Sequence, residues 1–329
     1  MKWLCFDQSD SAWDETVTRL GIVSPYQLSA WARFRSVNGW QPLRLVHSDE
    51  SVAIQFLTKR RGGIVDIAWS PGGPAGTTGS DSKLHTLATG LEESLRGSIR
   101  YVRVSDARSW TDSAEADYRA GGWRACPIRL SAPQTLLLTI PADSRSLIDN
   151  YSTNWFRNLR RGEQRGVMSE VWENPSADEI SSLYREVADL KQAVSRDWRT
   201  RTDEVERFME CFGLHLVIVR SRDAEGKTLA YRGAIHAGRS AFDILAASSL
   251  AGRKTYASHV ATHGLLSELS RRNCEKLDFG GVNPETNKGV FDFKHGTGGT
   301  EHRYVGEYHL SQPQALKSLV SKLGLSRIV

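Results

Sequence analysis

Lys294 and His295 stand between two phenylalanines and a run of glycines in the stretch GVFDFKHGTGG, residues 289–299. An amine that shares its surroundings with Phe291, Phe293 and a glycine-rich turn loses much of its hydration, and glycines let backbone approach a ligand closely. A cation held this way can meet negative charge that develops during acyl transfer. Most lysines in such loops are simply solvated, so the rest of the chain has to weigh in.

Arg157, Arg160, Arg161 and Arg165 are the second pattern. Helical spacing puts 157, 161 and 165 on one stripe, and planar guanidinium groups in a row suit phosphate contact. A solvated helix face is the commoner outcome of such a run. His259 and His263 are spaced i, i+4, as zinc ligands can be, but Val260, Ala261 and Thr262 lie between them where a metalloprotease needs its glutamate. They read as packed or half-exposed histidines.

Other chemistries lack their residues. GGPAGTTG has no lysine after its last glycine, and no G-x-G-x-x-G leads from a strand into a helix, which disfavours nucleotide-driven phosphoryl or hydride transfer. QRGV at 164–167 and YRAGG at 118–122 both miss the spacing of a turn that would aim backbone N–H groups at the pyrophosphate of coenzyme A. There is no G-x-S-x-G elbow and no cysteine with a nearby histidine. Cys5, Cys126, Cys211 and Cys274 are far apart with no C-x-x-C pair, so neither a zinc ribbon nor a disulfide framework is indicated.

The elements that must position these residues read as follows. LRLVH (43–47), VAIQFLT (52–58) and IVDIAW (64–69) form an antiparallel meander of short β-branched strands. A helix capped by Ser80–Ser82 carries Leu84, Leu87, Leu91 and Leu95 at helical spacing, and strand RYVRVS (100–105) follows. A second pass begins with strand TLLLTI (135–140), helix NWFRNLRRGEQ (154–164), strand VMSEVWE (167–173) and a capped helix over 176–193. Strands LHLVIVR, KTLAYRGAIHA and SAFDILAASS come next, then a helix over 255–272 with Tyr256, Val260, Leu266 and Leu269 inward, then strand KLDFGG (276–281). The expected fold is mixed α/β in two units, 1–145 and 146–310, with a C-terminal helix over 311–329 and no coiled-coil arm.

With 329 residues, 40% of them hydrophobic, the chain can bury a large core. Its net charge of +5 signals mild attraction to polyanions rather than a nucleic-acid-coating tail. Scattered thiols, no secretory leader and no apolar run of about 18 residues predict a cytoplasmic protein.

The C-terminal block resembles the FemABX family of peptidyl transferases. Leu277-Asp278-Phe279-Gly280-Gly281 matches the family's strand ending in Gly-Gly. Phe293-Lys294 matches its F-K, and Tyr304-Val305-Gly306-Glu307-Tyr308 its closing Y-x-G-x-Y. PYQLSAWARFRSVNGWQPLRL, IAWSPGGPAG, RYVRVSD and YSTNWFRNLRRGEQRGVMSEV are similar, in order, to further family segments over nearly the whole chain, most like the compact FemX-like members.

That resemblance implies two tandem acetyltransferase-like (GNAT-like) domains, the first on the acceptor side and the second on the catalytic, tRNA side. It implies transfer of an amino acid from aminoacyl-tRNA to an amine of a peptide, without cofactor, metal or covalent intermediate. Because the ester is already activated, holding ester and amine together supplies about 7–11 kcal/mol at best. A fixed cation at the oxyanion adds roughly 3 kcal/mol. The resemblance gives that role to Lys294, with Phe293 shaping the site, although the same cation could neutralise the tRNA's terminal phosphate. Asp106 is the candidate proton acceptor by position, unless the substrate or water serves. Arg33, Tyr101 and either Arg199 or Arg201 match acceptor-binding positions. Two acceptor-contacting tyrosines of FemX-like enzymes fall at Val205 and Leu245, which leaves open a muropeptide nucleotide or a peptide on a carrier protein as acceptor. The tRNA arm is expected on Arg157, Arg160, Arg161, Arg165, Arg253 and Lys254. An acyl-CoA-dependent N-acyltransferase is the competing reading.

Overall fold

The structure is a computed structural model that describes residues 2–22, 24–76, 83–190 and 197–312. The chain divides into two compact units, one built from its start to Gln134 together with the stretch from His302, the other from Thr135 to Glu301. The boundary expected at 145 therefore falls about a strand earlier, and the final strand expected in the second unit returns to the first. The expected cap at Ser80–Ser82 and the C-terminal helix from 313 on lie outside the described residues.

The first unit contains β1 (Trp3–Cys5), α1 (Asp10–Arg19), α2 (Ser29–Ser36), β2 (Gln41–His47), β3 (Val52–Arg61), β4 (Val65–Pro71), β5 (Ala75–Gly76), α3 (Leu87–Ser94), β6 (Ile99–Ser109), α4 (Asp112–Ala120) and β7 (Arg124–Ala125). Strands β1 to β4 form the antiparallel meander that their β-branched runs predict, and β6 joins β4 in parallel. Its core gathers Leu84, Leu87, Leu91 and Leu95, the helical stripe, against Ile54, Phe56, Val102 and Val104.

The second unit opens with β8 (Gln134–Thr139), α5 (Thr153–Gln164), β9 (Met168–Val171), α6 (Ala177–Leu190) and, after a 3₁₀ turn at Trp198–Thr200, α7 (Thr202–Phe212). There follow β10 (Leu216–Arg222), β11 (Thr228–Ala237), β12 (Ser240–Ser248), α8 (Leu250–Lys254), α9 (Ala257–Arg271), β13 (Lys276–Gly281) and α10 (Lys288–His295). The last strand, β14 (Thr300–Gln312), runs antiparallel to β6 in the first unit. Within the second unit the strand order is β8-β13-β12-β11-β10-β9.

Two local features shape the site. Strands β12 and β13 pair in parallel from Ser240–Lys276 only as far as Phe242–Asp278, so beyond that point the two strands no longer bond to each other. On the other side of β12 the register with β11 shifts between Gly233 and Ala234, leaving Ile244 as the extra residue of a β-bulge. Helix α5 crosses α9 so closely that a Cβ at Gly162 would sit 2.8 Å from the Val260 side chain, which only a glycine tolerates.

The GVFDFKHGTGG stretch differs from the expected loop, because it is helical as α10. Gly289 sits in its first turn and Gly296 just after its end, while Lys288 and Asp292 pair across one turn at 2.6 Å. Phe291 and Phe293 pack on the core, which gives a short helix the tertiary support it needs. Tyr256 also departs from expectation. It stands ahead of α9 in the left-handed conformation (φ 60°) rather than on the helix's inner face.

Candidate functional site

Lys294 is on the last turn of α10 and only 8% exposed. Its Nζ donates to the carbonyl of Phe279 at 2.5 Å, one residue past the point where β12 and β13 part. Gly280, at φ +70°, turns the chain there in a conformation that favours glycine, and its N–H donates to Asp278 Oδ1 at 2.7 Å. The anchor of the lysine is equally fixed. The Thr297 hydroxyl donates to the Lys294 carbonyl at 2.7 Å, and Ser152 N–H to the Gly296 carbonyl at 2.9 Å, which ties α10 to the start of α5.

Burial is the largest influence on the Lys294 amine and lowers its pKa; Asp243 opposes that effect, Arg232 adds to it, and Asp278 and Arg199 act more weakly in the same opposed senses. Arg232 on β11 and Asp243 on β12 form a buried ion pair at 2.7 Å, with side chains 9% and 6% exposed. The Arg232 guanidinium lies 5.0 Å from the Phe293 ring centre, a cation–π contact. Phe293 meets His259 edge-on at 5.0 Å and Trp155 at 5.9 Å. Loss of hydration lowers the His259 pKa to about 4, so the ring is neutral at neutral pH.

The freed edge of β12 is capped by side chains. Arg199, on the 3₁₀ turn, donates to the carbonyl of the bulged Ile244 at 3.1 Å while pairing with Asp197 at 2.5 Å. Its guanidinium stacks 4.8 Å from the Tyr184 ring, and the Tyr184 hydroxyl accepts the Ala246 N–H at 2.7 Å. The structure separates the two arginines that sequence left as alternatives. Arg199 reaches the strand end beside Lys294, whereas Arg201 is exposed and pairs with Glu204 at 2.6 Å. Leu245 is fully buried core and so is Val205, so neither lines an open pocket in place of a tyrosine.

Arg33, Tyr101 and Asp106 belong to the first unit. Arg33 on α2 bonds Asp10 at 2.6 Å and Ser29 Oγ at 2.9 Å. Tyr101 on β6 is half-buried beside His309, and burial raises its pKa. Asp106, the candidate proton acceptor, stands inside a hydrogen-bonded network. Its carboxylate is buried, pairs with Arg108 at 2.8 Å, and accepts the Arg108 backbone N–H at 2.9 Å and the Tyr118 hydroxyl at 3.1 Å. Both oxygens are already engaged, which makes Asp106 an organiser of β6 and α4.

The basic residues gather in part. Arg161 on α5 and Arg165 just past its end lie over the Tyr256 ring, at 5.9 and 5.0 Å, and Arg165 also donates to the Lys254 carbonyl. Arg253 and Lys254 are exposed in the last turn of α8, just before Tyr256 in the chain. Arg157 bonds Asn154 at 2.7 Å and Arg160 pairs with Glu163 at 2.7 Å, further along the same helix. Among the described residues no helix is long and apolar enough to cross a membrane, and no three His, Cys, Asp or Glu side chains form a metal set.

The fold is of the tandem acetyltransferase type, and it is that of FemX. The crystal structure of FemX superposes with a TM-score of 0.82 over 97% of this chain and 100% of that one, at 13% identity. A tandem GNAT protein from the clavulanic acid biosynthesis pathway is similar at a TM-score of 0.54 and 12% identity, over 94% of this chain and 98% of that one. The C-terminal domain of a putative lysylphosphatidylglycerol synthetase from Agrobacterium fabrum is similar at 0.52 and 15%, over 95% and 96%. No protein-family model and no curated protein matches the chain.

Sequence reasoning missed Arg232, Asp243, Trp155 and Tyr184. One signal was present: Arg232 and Asp243 are opposite charges inside consecutive apolar strands, a placement that demands a partner.

Proposed function

We propose that this protein is an aminoacyltransferase that moves an amino acid from aminoacyl-tRNA to an amine of a peptide acceptor. The observation that carries the reading is the Lys294 ammonium, held by α10 in a largely buried place on a FemX fold with a single hydrogen bond, to the Phe279 carbonyl. In the reaction the acceptor nitrogen bonds to the ester carbonyl carbon, negative charge collects on the carbonyl oxygen, and the ester C–O bond breaks. The terminal ribose hydroxyl leaves with a proton. Lys294 supplies the cation for the oxyanion, worth roughly 3 kcal/mol for one fixed donor. The amine's burial, which lowers its pKa, strengthens that interaction.

The acceptor is a peptide amine, carried on a nucleotide or on a carrier protein, with Arg199 the candidate contact in the second unit. The cations around Tyr256 are the candidate contact for the tRNA arm. Incubation with a mixture of charged tRNAs and candidate peptides, followed by identification of product mass, tests the reading. A peptide heavier by one amino-acid residue supports it. Transfer from acyl-CoA in a parallel incubation, with none from any charged tRNA, replaces it by the N-acyltransferase reading.

A further inference from the structure

Asp243 has a feature that the reading above does not use. One of its oxygens, Oδ2, pairs with Arg232, while the other, Oδ1, is buried with no hydrogen-bond partner. A buried carboxylate oxygen left without a donor is costly, and native structures rarely keep one without a use. A few residues of chain away in space, the Lys294 ammonium has three N–H donors and gives one of them to Phe279. The two groups feel each other's charge, yet they are more than 4.0 Å apart and form no ion pair. The geometry brings them into one neighbourhood: the lysine bonds the Phe279 carbonyl, and the next residue, Gly280, abuts Asp243, whose carbonyl oxygen would lie 3.5 Å from a Cβ there, so an acceptor and a donor lie close without satisfying each other.

A ligand that completes both must present a donor next to an acceptor. The α-ammonium and ester carbonyl of an aminoacyl group are such a pair, on neighbouring carbons. A simple acyl thioester offers only the carbonyl. We infer that Asp243 Oδ1 receives the free α-ammonium of the amino-acid donor while Lys294 receives its carbonyl oxygen, so that Asp243 selects donors with an unblocked amine. This rests on the aminoacyl reading and deepens it. Both groups are shut from solvent in the structure, so the ligand reaches them by shifting side chains.

The test compares aminoacyl-tRNA with the same tRNA N-acetylated on its amino acid, in wild type and in Asp243→Asn, which keeps the size of the side chain and an acceptor for Arg232. Wild type should prefer the free amine by at least about 100-fold in kcat/KM, because a site built for a donor rejects the analogue that lacks it. Asp243→Asn should shrink that preference below about 10-fold. An unchanged preference with equal losses for both donors would mean a structural role and overturn the inference. Should the variant fail to fold, wild type decides by binding. Calorimetry with 3′-alanylamino-3′-deoxyadenosine and its N-acetyl derivative should show tighter binding of the free amine, and equal binding overturns the inference. Failure of the function reading looks different, as absence of transfer from every charged tRNA.

Discussion

The Lys294 Nζ donates to the Phe279 carbonyl at 2.5 Å, at the place where β12 and β13 stop bonding to each other. A carbonyl at a parting strand pair needs a donor, and a buried ammonium needs an acceptor. Each solves the other's difficulty, and the result is a cation kept dry and ready at the end of a strand pair.

Replacing that cation should remove oxyanion stabilisation while leaving the helix that carries it. Lys294→Met keeps the apolar stem and should lower kcat by about 10²–10³ with little change in donor KM. The pH dependence follows from the lowered pKa. Activity that needs the ammonium should fall as pH rises through a value below the ordinary 10.5. Stability moves the other way, because between the lowered value and 10.5 the unfolded chain binds the proton that the folded one has lost. Wild type should therefore gain stability with rising pH across that window, and Lys294→Met should not, as thermal melts at a series of pH values will report.

His259 gives the acid counterpart. Its pKa is lowered from 6.5 to about 4 by burial, so the unfolded chain takes up a proton below 6.5 that the folded chain resists until about 4. Stability should then fall as pH drops from 6.5 to 4, by an amount on the order of 2–3 kcal/mol from this residue. His259→Gln should flatten that limb of a denaturation-midpoint curve. A limb as steep as in wild type would show that the ring is hydrated in solution.

Much of the fold was legible because its strands and helices carry clean periodicities. β11, β12, α9 and β13 fall within about two residues of the runs that predict them. Helix α10 was not legible, since its glycines and short length argue for a loop and its support comes from Phe291 and Phe293 packing on distant residues. Lys294 stood out through its aromatic neighbours. Asp243 did not, because its value lies in which of its oxygens is left over, and that depends on how β11 and β12 bulge at Ile244. The surroundings of Asp106 were hidden for the converse reason: sequence places an aspartate at the right position without showing that Arg108 and Tyr118 bond to it.

That occupancy makes Asp106→Asn a stability variant. Removing the carboxylate that pairs with Arg108, itself 3% exposed, breaks a buried ion pair, at a cost of about 3–5 kcal/mol. The melting temperature should drop, while kcat per folded molecule and its pH profile stay as in wild type. A large loss of kcat with an unchanged melting temperature would return Asp106 to the chemistry.

The tyrosine at the mouth of α9 orders the cations that a tRNA would meet. Arg161 and Arg165 both lie over a ring whose own backbone is held in a left-handed conformation, so their guanidinium groups are arranged before any phosphate arrives. Preorganised cations of this kind read phosphates without regard to base sequence, and each phosphate they neutralise releases counter-ions. Arg161→Gln with Arg165→Gln should thus weaken all charged tRNAs by a similar factor, and should reduce the slope of log affinity against log salt by roughly 0.7–0.9 for each phosphate that goes unneutralised. Tyr256→Leu should weaken binding less while leaving the slope near the wild-type value, since it disorders the arginines without removing their charge. Filter binding across a salt series separates the two outcomes, and a double arginine variant with the wild-type slope would place the tRNA arm elsewhere on the protein.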